Sequence, residues 1–183
     1  MSQFHIAVIV GSLRKDSFNR QLATALARPA PADFHLTPLR LDDLPLYNQD
    51  DDGQQAAPVL RLKSEIQAAQ GLLFVTPEYN RSIPGVLKNA IDHASRPYGQ
   101  NAWAGKPAGV LGVSVGAIGT ALAQQHLRNV LAFLDMPTMA QPEGFFQIGD
   151  DFLDADAQVN AASRKYVQRW INAYAEWMKK LAA

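Results

Sequence analysis

Residues 4–27 read FHIAVIVGSLRKDSFNRQLATALA, and the break at Gly11 decides how the rest of the chain is read. Phe4 to Val10 is short, apolar and rich in β-branched residues, and it ends on glycine, the pattern of a strand buried on both faces. From Ser17 to Arg28 the apolar residues Phe18, Leu22, Ala25 and Leu26 recur at helical spacing, with Pro29 just beyond. Between strand and helix, Ser12, Arg14, Lys15, Ser17 and Asn19 crowd hydroxyls, cations and an amide into one loop.

The same alternation continues outward. Phe34 to Leu41 reads as a second strand, Asp42 to Gly53 as a loop, and Gln55 to Gln70 as a helix closed by Gly71. Leu72 to Val75 is a strand, and Pro84 to Ser95 a helix with proline near its first turn. Ala108 to Val115 is a strand, Ala121 to Leu134 a helix, and Met136 to Ala140 a short fifth strand. Asp154 to Leu181 is a long terminal helix, on which Tyr166, Trp170, Tyr174 and Trp177 form a packing stripe. Near-continuous apolar strands alternating with helices predict one α/β domain over residues 1–183, a doubly wound sheet of five parallel strands with helices on both faces. Such sheets bind ligands beyond the carboxyl ends of their strands. The residues of interest are therefore Gly11 to Asn19, Thr76 to Ser82, and Ser114 to Gly119.

Composition limits the chemistry. The 183 residues carry no net formal charge, which gives no electrostatic case for nucleic acid or an anionic membrane. No apolar run is long enough to span a bilayer, and no basic-then-apolar leader is visible, so the expectation is a cytoplasmic protein. There are no cysteines, so any redox chemistry must come from a bound cofactor. His5, His35, His93 and His126 are scattered without metal-ligand spacing, although His93 could reach a subunit interface. Asp50, Asp51 and Asp52 read as a solvated acidic loop. Trp103 reads as core or as the rim of an acceptor pocket.

The first loop lies at a helix N-terminus, where backbone N–H groups and the helix dipole favour an anion. Its hydroxyls and Arg14 suit a phosphate, although an ordinary loop capped by Ser17 has the same composition. Leu13 breaks a dinucleotide Gly-x-Gly-x-x-Gly pattern, and Gly99 to Lys106 lacks the spacing of a Walker A loop. A mononucleotide monophosphate remains, of which FMN is the common one in a flavodoxin-like sheet. After the third strand, VTPEYNRSIPGVLKNAIDHASRP sets Glu78, Tyr79, Asn80, Arg81 and Ser82 between Pro77 and Pro84. Such a stiffened loop could offer an aromatic wall and a few directed donors to a planar ligand, or could be a rigid turn with a solvent-facing tyrosine.

GSLRKDSFNRQLA followed by TPEYNRSIPGVLKNAIDHASRP resembles the NADPH-dependent FMN reductase family, and within it the bacterial quinone and chromate reductase branch. The resemblance runs from Ile6 to about Phe146. It implies a flavodoxin-like fold, noncovalent FMN, and NADPH or NADH as co-substrate. It further implies ping-pong transfer to quinones, azo compounds, chromate or free flavin, and a homodimer or homotetramer. By that resemblance, Ser12, Arg14, Ser17, Phe18 and Asn19 match the FMN phosphate loop. Pro77, Glu78, Tyr79 and Asn80 match the loop beside the isoalloxazine, and Ser114, Gly116 and Ala117 the third flavin loop. No catalytic side chain and no metal ligand are assigned, because the flavin supplies the chemistry. His126-Leu127-Arg128 is kept, but Leu122 and Gln125 stand where the chromate-reducing branch often has Arg and Tyr. A flavodoxin-like electron carrier is the alternative from another class. Such carriers tend to be strongly acidic, unlike this uncharged chain. A flavin-free relative using the loop for another phosphate is the third reading.

Overall fold

The computed structural model describes residues 3–149 and 159–182. Its elements in chain order are β1 (Phe4–Val10), α1 (Phe18–Ala27), β2 (Phe34–Pro38), a 3-10 turn (Gln49–Asp51), α2 (Ala57–Ala68), β3 (Gly71–Val75), α3 (Gly85–Ala94), β4 (Ala108–Ser114), α4 (Ala121–Phe133), β5 (Gly144–Gln147) and α5 (Ala161–Leu181). All paired strands of the sheet run parallel, in the order β2-β1-β3-β4-β5. The chain thus steps to one side of β1 and then returns to the other, which makes β1 and β3 the switch point where an open sheet leaves a crevice.

The period-two alternation of β1 explains the two layers. Phe4, Ile6, Val8 and Val10 pack with residues of α1 and α5, including Leu22, Leu26, Trp170 and Tyr174. Ala7 and Ile9 face α2, α3 and α4 through Leu62, Ile66, Leu87, Ile91 and Leu127. Successive side chains of a strand point to opposite faces, so a run apolar at every position needs a cover on both.

Two expectations change, for the fifth strand and for His93, and the choice left open for Trp103 resolves to core. The fifth strand is Gly144–Gln147 rather than Met136 to Ala140. The earlier segment makes one bridge, Thr138 to Ala108 at the start of β4, before the ladder resumes at Leu111 with Gly144. Trp103 belongs to the core, fully buried, with its indole N–H donating to the Ile91 carbonyl at 3.0 Å. His93 is also buried, its Nε2 2.9 Å from the Pro45 carbonyl and its ring edge-on to Tyr47. The expected start of the terminal helix at Asp154 lies outside the described residues.

Candidate active site

The crevice is built where β1 and β3 end level. Val10 pairs with Val75, and the Gly11 N–H donates to the Val75 carbonyl at 3.0 Å. Beside them β4 runs on to Ser114, although its ladder with β3 stops at Leu111. The side chain of Asn19, on the first turn of α1, takes up the loose peptide groups of Val113. Its Nδ2 donates to the Val113 carbonyl at 2.9 Å, and its Oδ1 accepts from the Val113 N–H at 3.0 Å. Asn19 is buried, and its amide is a strut between α1 and β4.

Ser17 caps α1, its hydroxyl accepting from the Arg20 N–H. The N–H groups of Ser12, Lys15, Asp16, Phe18 and Asn19 find no acceptor among the described residues. Arg14 is exposed, and its guanidinium carbon lies 4.7 Å from the centre of the Phe18 ring, while one nitrogen donates to the Asp16 carbonyl. A cation held over an aromatic face keeps its remaining donors free.

The second loop turns sharply. Tyr79 and Ser82 exchange backbone hydrogen bonds of 3.0 Å in both directions, and Asn80 and Arg81 between them have φ of 52° and 64°. Two left-handed residues make a type I′ turn, which asparagine tolerates well. Tyr79 is left half exposed.

Glu78 points away from that turn and toward α4. Its Oε2 accepts from the N–H groups of Leu122 and Ala123 at 3.0 and 3.1 Å, while Oε1 pairs with Arg81 at 3.1 Å. The residue at the N-cap of α4, Thr120, has a left-handed backbone and makes no side-chain cap. Glu78 supplies the missing cap from another loop, with a negative charge at the positive end of the helix dipole. Ser82 Oγ lies 2.9 Å from His126 Nδ1, a second tie between the same loop and α4. Sequence reading placed Glu78 beside a flavin and left His126 without a role. Partners 44 residues away leave no periodic trace in a sequence.

The third loop runs from Ser114 to Thr120. Ser114 Oγ donates to the Gly116 carbonyl at 2.9 Å, and Val115 through Ile118 are exposed. Behind it, Gly112 has no room for a side chain, since a Cβ would overlap the Thr76 carbonyl oxygen and the Thr120 hydroxyl. Gln124, fully buried, donates to Thr120 Oγ1 at 3.0 Å and to the Gly144 carbonyl at 2.8 Å, which fixes the turn into α4.

These donors fit FMN. The free N–H groups of the first loop, with Ser12, Ser17 and Arg14, match a phosphate monoester. The N–H groups of Glu78, Asn80, Val115, Gly116 and Ala117 also lack acceptors in the described chain, and a Cβ on Gly116 would meet nothing within 4 Å. Open amides beside a half-exposed aromatic ring suit the polar edge and flat face of a flavin.

The chain matches the model of the NADPH-dependent FMN reductase family over residues 4–151. A 2-hydroxy-1,4-benzoquinone reductase of a Burkholderia species is 53% identical over 175 residues, 95% of this chain and 96% of the relative. A quinone reductase of Pseudomonas putida is 46% identical over 181 residues, 98% of this chain and 97% of the relative. Among solved structures, the flavoenzyme NAD(P)H:(acceptor) oxidoreductase FerB of Paracoccus denitrificans superposes with a TM-score of 0.92 at 44% identity, covering 97% of this chain and 98% of that one. The crevice at the switch point and the extent of these matches lead to one assignment: the chain belongs to the NADPH-dependent FMN reductase family, as an oxidoreductase of flavodoxin-like fold that uses FMN and NAD(P)H.

Proposed function

We propose that the chain is a quinone reductase driven by NADH or NADPH, with azo compounds, chromate and free flavin as further acceptor classes. The observation that carries this reading is the set of three loops at the carboxyl ends of β1, β3 and β4, with unpartnered amides and an exposed Tyr79. The names of the Burkholderia and Pseudomonas relatives support quinones as the acceptor.

Ser12, Arg14 and Ser17 bind the phosphate with the N–H groups of Phe18 and Asn19, and Phe18 holds Arg14 in place. Pro77, Tyr79 and Asn80 border the ring on one side, and Ser114, Gly116 and Ala117 on the other. Glu78 acts as a positioning residue by fixing the second loop to α4. FMN held by these residues would supply the redox chemistry, as hydride acceptor from NAD(P)H and two-electron donor to the acceptor. No side chain is assigned as acid or base, so the protein contributes binding and orientation. Tyr79 and Val115, 51% and 70% exposed, leave an apolar margin around the crevice. A second copy of the chain in a homodimer or homotetramer would cover such a margin.

Steady-state oxidation of NADH and NADPH by the FMN-loaded protein, with a benzoquinone as acceptor, tests the reading. Turnover well above that of free FMN, with parallel double-reciprocal plots, is expected. FMN binding without NAD(P)H oxidation would make the chain an electron carrier instead.

A further inference from the structure

Reduction of a quinone to its hydroquinone takes up two electrons and two protons. The hydride of NAD(P)H carries both electrons and one proton, so a second proton has to come from elsewhere. A good source lies at the crevice, holds its proton near neutral pH and regains it from water at each turnover. Glu78 is the carboxyl group at the site, but both of its oxygens accept, from the Leu122 and Ala123 N–H groups and from Arg81, so it has no proton to hand on. A guanidinium such as that of Arg81 does not release one.

The second loop reaches one group that can. Tyr79 and Ser82 form an antiparallel bridge across the turn, with hydrogen bonds in both directions. Side chains directly opposite in such a pair share a face, which sets the Ser82 hydroxyl beside Tyr79 at the edge of the crevice. Ser82 is half-buried, and its Oγ lies 2.9 Å from Nδ1 of His126, in the second turn of α4. His126 is exposed, and no other described residue bonds its ring. The charged groups on the elements around it are matched elsewhere. Glu78 pairs with Arg81 at 3.1 Å, and Lys88 with Asp92 on α3 at 2.8 Å, while Arg128 donates to the Met139 carbonyl at 2.8 Å with Glu143 near it. Imidazole is the side chain whose charge ordinarily changes near neutral pH, and this one stands between the crevice and water.

We propose that Ser82 and His126 form a relay that supplies the second proton to the acceptor, Ser82 touching the acceptor oxygen and His126 acting through it. Protonated on both nitrogens, His126 donates from Nδ1 to the Ser82 oxygen, and the Ser82 hydroxyl donates to the oxygen of the acceptor. As the acceptor becomes hydroquinone, the Ser82 O–H bond breaks and a new O–H bond forms on the acceptor. The Nδ1 proton restores the Ser82 hydroxyl, and His126 is left neutral until water returns a proton to its exposed ring. In sum, NAD(P)H, one proton and a quinone become NAD(P)+ and a hydroquinone. The relay rests on the reductase reading for its acceptor, while the hydride of NAD(P)H does not pass through it.

Stopped-flow reoxidation of the NAD(P)H-reduced, FMN-loaded protein tests it, with a benzoquinone and with ferricyanide, which takes electrons without protons. The quinone rate of the wild type, divided by its ferricyanide rate, is expected to fall as pH rises and His126 loses its proton. The midpoint of that fall should match the pH at which the His126 Cε1 proton signal shifts in NMR spectra of the flavin-free protein. His126→Asn keeps a donor near the position of Nδ1 but does not titrate. It should abolish the pH step and lower the ratio at acid pH at least about tenfold, less than the ~10²–10⁴ usual for a general acid because water reaches an exposed site. Ser82→Ala should do the same while His126 still titrates by NMR. A tie that only braces the loop would leave ratio and step in His126→Asn as in the wild type, and that result overturns the proposal. So does a Ser82→Ala variant that keeps the step, or a kinetic midpoint away from that of the His126 signal. A wild type that NAD(P)H does not reduce contradicts the reductase reading, and the relay falls with it. One that is reduced, and reoxidised by both acceptors without a pH step, contradicts the relay alone.

Discussion

The loop after β1 is fastened from below, through Asn19 and Ser17, and holds Arg14 exposed, whereas the loops after β3 and β4 are fastened to each other, through Glu78 and Ser82. The first arrangement fixes the start of a helix and leaves charge and amides facing outward. That suits an anion, which needs donors more than shape. The second holds two loops at a set separation and leaves little free charge, since Glu78 is paired with α4 and Arg81. That suits a flat ring, which needs two walls kept apart. The lesson is that stability and binding are divided differently in the two regions. Asn19 braces the first loop from a buried position and Glu78 and Ser82 brace the later loops from half-buried ones, while Arg14, Tyr79, Gly116 and Ala117, proposed to meet ligand, are exposed.

Substitutions can break this division, and their effects should scale with burial. Gly112→Val is expected to be the most damaging change, because the new atoms would overlap the Thr76 carbonyl and Thr120 at the base of both later loops. Overpacking costs about 1–3 kcal/mol where side chains can yield and more where, as at the Thr76 carbonyl, the overlapped atom is backbone. A urea midpoint equal to that of the wild type would contradict the packing described. Asn19→Ala comes next. It strands the buried N–H and C=O of Val113, at about 1–3 kcal/mol for each group left unsatisfied. The same denaturation measurement reads it, and a loss below about 0.5 kcal/mol would mean that the strut is not needed.

Glu78→Ala removes the cap of α4 and should cost about 0.5–2 kcal/mol. It should also weaken FMN by loosening the second loop against the third. FMN affinity unchanged alongside a clear loss of stability would show that the tie braces the fold alone. Tyr79→Ala is expected to have the smallest effect on stability, within about 0.5 kcal/mol for an exposed loop position. It should nonetheless shift the visible spectrum of bound flavin, and an unaltered spectrum with unaltered affinity would remove Tyr79 from the ring's surroundings.

Much of the fold was legible because buried parallel strands are apolar at nearly every position. FHIAVIV and LLFV are hard to read otherwise, and the glycine and proline punctuation placed the helices. The fifth strand was misplaced because GFFQ is only four residues long, while Met136 to Ala140 has comparable apolar character and does touch β4 at one bridge. At the site, residue types and loop positions were legible, and the division of labour was not. Asn19 and Glu78 look like ligand donors in a one-dimensional list. Their partners, Val113 and the start of α4, lie 94 and 44 residues away and are polar backbone groups that every residue shares. His93 and Trp103 carry functional-looking chemistry but satisfy their polar atoms on nearby carbonyls.

The central claim is that the first loop receives the phosphate of FMN, and calorimetric titration of the flavin-free protein with FMN and with riboflavin tests it most directly. The wild type is expected to prefer FMN by at least about tenfold, the scale of one charge-assisted hydrogen bond. Arg14→Ala combined with Ser17→Ala should cut that preference, the remainder being held by Ser12 and the backbone N–H groups, and leave riboflavin affinity nearly unchanged. Equal affinity of the wild type for the two flavins, or a double variant that still favours FMN as strongly, would contradict the account.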